Sequence, residues 1–127
     1  MNRRGAAAER FAERRRQEDE APRLRDVVPT LTACRVVFEE RREGVTGSDL
    51  SHTRRIVVEH APARLVVPCG DSDCRDGGHD ISAELVRGLR SGQAEIHGED
   101  RCFGHVRAAD CQRVLAFTAY AEYGGAR

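Results

Sequence analysis

The sequence predicts an α+β domain: a small antiparallel sheet of about four strands in ββαββ order with one packed helix, preceded by an N-terminal helix. Three observations carry this. Residues 112–123 alternate, with Leu115, Phe117, Ala119, Ala121 and Tyr123 on one face and Val114, Ala116, Thr118, Tyr120 and Glu122 on the other, which is the period of a strand. Residues 80–90 instead put Ile81, Leu85 and Leu89 on one face at helical spacing, with Val86 beside them. A chain of 127 residues with no repeat period is long enough for one modest core.

The elements follow in order. Residues 5–20 have high helix propensity and Glu–Arg neighbours at helical spacing. The apolar face there is thin, essentially Ala7 and Phe11, and an isolated helix of this length is marginal in water. It is expected to fray or to dock on a partner such as a twin subunit. Pro22 ends it and Pro29 opens the folded part, so residues 1–28 are read as a charged helix and linker and 29–127 as an α+β zinc-binding domain.

Residues 31–40 alternate as a first strand, with Cys34, Val36 and Phe38 on one face and Arg35, Val37 and Glu39 on the other. A polar loop at 44–51 leads to a second extended run, 52–67, rich in β-branched residues and interrupted at Pro62, a sign of a bulge or an edge position. Asp80 is the expected N-cap of the helix and Gly92 its C′ residue. Residues 94–98 form a short third strand, and 112–123 the last.

Composition narrows the function. All 21 basic residues are arginine and 21 acidic residues balance them, so the net charge is zero. The arginine bias is read as codon usage of a GC-rich genome rather than as phosphate recognition. A neutral domain lacks the global pull of a nonspecific nucleic-acid binder, which leaves only the local stretch Arg3, Arg4, Arg10 and Arg14 to Arg16, followed at once by Glu18, Asp19 and Glu20. No apolar run is long enough for a membrane span and the N-terminus has no signal-like core, so no membrane partner is expected. The expected compartment is the cytoplasm, where thiols stay reduced.

Five cysteines carry the chemistry. Cys69 and Cys74 bracket one loop, His79 follows it, and Cys102 and Cys111 flank another. If the second strand rises to Val67, the helix descends and the third strand climbs again, these loops meet at one end of the sheet, with Cys34 not far off. Thiolate and imidazole suit a tetrahedral Zn²⁺ site. The expected ligands are therefore Cys69, Cys74 and Cys111, with Cys102 and His79 competing for the fourth place. Four residues separate Cys69 from Cys74 and eight separate Cys102 from Cys111, wider than compact zinc sites usually allow. Cys34 is read as a small buried hydrophobe, His79 alternatively as a packing residue before the helix, and His52, His60, His97 and His105 as surface residues.

Sharper motifs fail on their own terms. Asp71, Asp73 and Asp76 would suit a calcium loop, but Arg75 stands where an oxygen ligand belongs and no glutamate closes the loop. His97, Glu99 and Pro68-Cys69 have the order of the zinc-deaminase signature reversed. A C-x-x-C redox motif is absent. The aspartates are expected to raise the thiol pKa values, which argues for ligation over nucleophilic catalysis, and N–H groups of Gly70, Gly77 and Gly78 to support the sulfurs.

No nucleophile, base and oxyanion set is visible. The function expected is a non-catalytic, zinc-stabilised binding module contacting protein or a second copy of itself, with a homodimer preferred. Two alternatives stand beside it: a thiol-based redox or metal sensor, and a nucleic-acid module using the arginine-rich N-terminus. An enzymatic reading would need an open metal position lined by Glu99, Asp100 and His105.

Overall fold

The computed structural model describes residues 3–124 apart from 43, 45, 46, 49, 72, 76 and 108, and among these omits the side chains of 3–8, 10, 11 and 75. The expected apolar face of the first helix, Ala7 and Phe11, thus lies outside the described side chains, as does Asp76 of the aspartate trio.

In chain order the elements are α1 (Arg3–Glu20), α2 (Leu24–Val27), β1 (Leu31–Arg42), β2 (Leu50–Ile56), β3 (Val66–Val67), β4 (Cys74–Arg75), β5 (His79–Asp80), α3 (Ser82–Arg90), β6 (Glu95–Arg101), β7 (His105–Val106), β8 (Ala109–Asp110) and β9 (Arg113–Tyr123). Four long strands make one antiparallel sheet in the order β2-β1-β9-β6. The α+β class and the ββαββ order of the long elements hold.

Period-2 patterning decides which face is buried. Cys34, Val36 and Phe38 of β1, Leu115, Phe117, Ala119 and Ala121 of β9, and Ile96 of β6 all point into the core. There Ile81, Leu85 and Leu89 of the α3 region cover them. Close approach of helix and sheet is possible because Gly88 carries no side chain: a Cβ there would meet Ile96 Cγ1 at 2.7 Å. Gly92, at φ +73°, ends α3 in the left-handed conformation that glycine adopts freely. On the outer face Arg35 lies over the Tyr120 ring, 4.2 Å from its centroid, and Arg41 donates to Glu99 at 2.8 Å.

Three details depart from expectation. The second extended run is not one strand. β2 ends at Ile56, a turn follows in which the N–H groups of His60 and Ala61 both donate to the Val57 carbonyl, and Val66–Val67 pairs instead with His79–Asp80. Pro62, which has no N–H to give, sits in an isolated bridge with Arg23, outside the main sheet. β2 therefore runs away from the end where the cysteines gather, and residues 57–68 bring the chain back. Cys34 consequently stands at the far end: it faces Ile56 and Ala121 across the sheet, six residues up β1 from Glu40, or about 20 Å of strand. Asp80 belongs to β5, and its Oδ1 accepts the N–H of Ser82 at 3.0 Å, so it serves the helix start from one position earlier than a true N-cap.

Candidate metal centre

β1 ends, β9 begins and β6 ends at the same edge of the domain, and the short strands are built onto that edge. β6 runs directly into Cys102, whose N–H still donates to the Arg113 carbonyl at 3.0 Å, and β9 starts just after Cys111. Between Cys102 and Cys111 the chain folds into the β7–β8 hairpin, and β4, which begins with Cys74, adds as its third strand. The hairpin explains the wide spacing: eight residues separate the two cysteines in sequence, yet the Cys111 N–H donates to the Gly104 carbonyl at 2.9 Å and closes the loop beside Cys102. On the other side, the β3–β5 pair fixes the entry to Cys69 and the position of His79.

The Sγ atoms of Cys69, Cys74, Cys102 and Cys111 all lie within 4.8 Å of one another. Cys69 and Cys111 are 3.7 Å apart, and Cys74 and Cys102 are 3.6 Å apart. A disulfide would need about 2.0 Å, and all five cysteines are free thiols. Four sulfurs about 2.3 Å from a common tetrahedral centre would be about 3.8 Å from each other, so the observed spacings fit a tetrahedral thiolate site. The group could hold a metal ion.

Backbone N–H groups serve these sulfurs. Asp71 donates to Cys69 at 3.5 Å, and Gly104 and Gly78 donate to Cys102 at 3.4 and 3.3 Å. In the two bonds from Asp71 and Gly104 the donor lies two residues after the cysteine, so Cys69-Gly70-Asp71 and Cys102-Phe103-Gly104 wrap their own sulfurs in the same way. Of the glycine amides expected in this role, Gly78 fills it, whereas Gly70 donates to Glu40 at 2.9 Å. Gly77 contributes by having no side chain: a Cβ there would lie 2.7 Å from Cys102 Sγ and closer still to Cys74 Sγ.

Burial dominates the thiol acidities. It pushes Cys69 well above the ordinary thiol range, against the Asp71 N–H, and pushes Cys74 up to about 12, with the Cys102 and Cys111 thiols adding to both. Burial also works on Cys102, but the amides of Gly104 and Gly78, together with the Cys74 and Cys69 thiols, outweigh it and hold Cys102 below the usual value. The carboxylates of Asp71 and Asp73, expected to raise these values, are not among the causes. Without a cation, burial thus resists ionisation of Cys69 and Cys74. A divalent ion would remove that resistance, and binding would release protons.

His79 is fully buried, with 0% of its side chain exposed, and is not part of the four-thiol group. It belongs to a second group with Cys69 and Glu40, whose ligand atoms also lie within 4.8 Å of one another. Its Nδ1 is 3.1 Å from the Asp100 carbonyl, while Nε2 has no hydrogen-bond partner. Glu40 and Arg113 were not singled out from the sequence. They form a buried ion pair, Arg113 Nε donating to Glu40 Oε1 at 2.5 Å, and Glu40 also accepts the Gly70 amide and faces Cys69 Sγ at 3.8 Å. The signal was present: Glu40 continues the inward row of Cys34, Val36 and Phe38, and Arg113 that of Leu115 and Phe117. A charge on the core phase of a strand requires a partner.

The remaining candidates lie elsewhere. His52, His60, His97 and His105 are exposed, His52 stacking on Phe38 at 4.8 Å. Glu99 bonds Arg41, His105 approaches Asp110, and Asp100 approaches His79, so the trio considered for an enzymatic pocket is drawn to three different partners. Among the described helices none is long and apolar enough to cross a membrane. No protein-family model matches the chain, and neither do any curated proteins or solved structures.

Proposed function

We propose that this chain is a non-catalytic binding module whose functional fold is held by Zn²⁺ on Cys69, Cys74, Cys102 and Cys111. The observation that carries the reading is the meeting of four thiols from two loops at tetrahedral spacing. Four sulfur donors select zinc among common divalent ions and leave no open position for substrate, which favours a structural over a catalytic role. Cys102 and Cys111 are both buried, and the β4–β7–β8 ribbon that begins with Cys74 and is flanked by Cys102 and Cys111 is made of two-residue strands with little apolar surface of its own. Metal–ligand bonds would supply the cohesion that such strands lack.

The partner is expected to be protein, including a second copy of the chain, through α1 or the exposed sheet face. Within α1 Arg16 is already paired with Glu13, and Gln17 is held by Arg64 at 2.8 Å, so the helix presents mixed charge rather than a continuous basic stripe. Contact with nucleic acid would show as affinity falling steeply with salt, and a flat salt dependence would exclude it. Native mass spectrometry of untagged protein purified without added metal tests the metal reading. One zinc per chain is the expected result, and bare reduced chain would overturn it.

The two close sulfur pairs favour one alternative, a thiol redox sensor. Loss of the ion and a two-electron oxidation would join Cys69 to Cys111, or Cys74 to Cys102, a peroxide-class oxidant accepting the two electrons as its O–O bond breaks and carrying off the two thiol protons in the water or alcohol formed. That reading requires peroxide to eject the ion and thiol reductant with zinc to restore it.

A further inference from the structure

We infer that Glu40, Cys69 and His79 form a second metal position beside the four-thiolate site, sharing the Cys69 sulfur as a bridge and taking a divalent ion of zinc-like preference. The inference rests on the four-thiolate reading above.

The leading observation is His79 Nε2. The ring is fully buried and Nδ1 lies 3.1 Å from a backbone carbonyl, which can only accept, so Nδ1 carries the hydrogen of that bond. In the neutral ring this leaves Nε2 with a lone pair, and Nε2 has no partner. It faces Glu40 Oε1 at 3.6 Å, beyond hydrogen-bond reach. A buried lone pair turned toward a carboxylate is unfavourable unless a cation stands between them. An imidazole fixed through Nδ1–H to a carbonyl, with Nε2 turned inward, is also how ligating histidines are commonly held.

The distances suit an ion. With standard bonds of about 2.0 Å to nitrogen or oxygen and about 2.3 Å to sulfur, the 3.6 Å from His79 Nε2 to Glu40 Oε1 and the 3.8 Å from Cys69 Sγ to the same oxygen each subtend an angle of about 125° at the metal. Three protein ligands of mixed type leave room for a water, unlike the closed four-thiolate set. Charge points the same way. Four thiolates and the Glu40 carboxylate, set against the Arg113 guanidinium and one divalent ion, leave two negative charges in a largely buried site. A second divalent ion neutralises them, and buried charge without compensation is costly. Arg113 shares Glu40 Oε1, so the second ion binds more weakly than the first.

Titration of the protein as isolated with Zn²⁺, followed by native mass spectrometry, tests this. The wild type is expected to start with one ion and to saturate at two. His79→Gln, which keeps a polar side chain of similar reach, is expected to hold the first ion and to saturate at one. Glu40→Gln, which keeps the oxygen that accepts the Gly70 amide, serves as the second variant with the same expected result should His79→Gln not fold. The exposed Glu95–His97 pair, 3.3 Å apart, is the obvious adventitious site, so His97→Asn is expected to leave the count at two. A wild type that saturates at one ion overturns the second position and leaves the first intact, as does a His79→Gln protein that still takes two. A wild type that holds none overturns both.

Discussion

Substitution of Gly77 by alanine separates a metal centre from a merely crowded loop. Its Cβ would stand 2.7 Å from Cys102 Sγ and nearer still to Cys74 Sγ. Ordinary contact begins at about 3.5 Å, so Cys102 must withdraw by about 0.8 Å and Cys74 by more. A metal–sulfur bond tolerates about 0.2 Å. The site must therefore give up at least one ligand or displace the loop. Structural zinc binding in small domains amounts to about 10–16 kcal/mol over four ligands, so one lost ligand weakens it by about 3 kcal/mol, or about 100-fold. Competition against a chromogenic chelator measures this directly. Gly88→Ala is the control, since its Cβ meets Ile96 Cγ1 at the same 2.7 Å but lies in the core, away from the thiols. It should lower stability by about 1–3 kcal/mol and leave zinc affinity unchanged. If Gly77→Ala behaves like Gly88→Ala, binding zinc as tightly as the wild type and losing only stability, then Cys74 and Cys102 do not hold the ion.

Other outcomes follow from the same geometry. Cys111→Ser also removes one sulfur and should weaken zinc binding by about 100-fold, whereas Cys34→Ala, buried at the opposite end of β1, should cost about 1 kcal/mol in urea denaturation with zinc affinity unchanged. Glu40→Ala removes the carboxylate held by Arg113 inside the fold and should destabilise by about 3 kcal/mol, and a loss below about 0.5 kcal/mol would mean the pair is effectively solvated. For reduced, metal-free protein, burial holds Cys69 and Cys74 above the unfolded thiol value of about 8.5, Cys74 reaching about 12, so above that value the unfolded chain binds fewer protons than the native one. Stability should therefore fall as pH rises from 8 toward 11, and urea midpoints that rise over this range would contradict the assigned burial. Zinc affinity should move the opposite way, weakening as pH falls and protons compete for the sulfurs.

The long elements were legible because their periods are clean: β9 alternates from Leu115 onward, and Ile81, Leu85 and Leu89 lie on one stripe of the α3 region. The run 52–67 misled because β-branched residues signal extension without saying what they pair with. Pro62 was the correct warning, since the chain leaves the main sheet before it and β3 beyond it pairs with β5 in a separate two-stranded sheet. Convergence of the cysteine loops followed from the helix descending and β6 climbing back, even though β2 runs opposite to the direction assumed. The two-residue strands β4, β7 and β8 were invisible, because pairing that short is fixed by tertiary contacts and not by pattern. Glu40 and Arg113 were readable in principle from their phase on β1 and β9. The separation of His79 from the thiols was not, because it depends on the β3–β5 pair and on a hydrogen bond to Asp100 that no spacing rule encodes.

X-ray absorption at the zinc edge, on protein as isolated, tests the four-thiolate site most directly because it counts ligand atoms and measures their distances at the ion itself. Four sulfur scatterers at about 2.3 Å and no nitrogen or oxygen shell are the predicted result. A first shell dominated by nitrogen and oxygen, or a sulfur count of two or fewer, would contradict a metal centre built from Cys69, Cys74, Cys102 and Cys111.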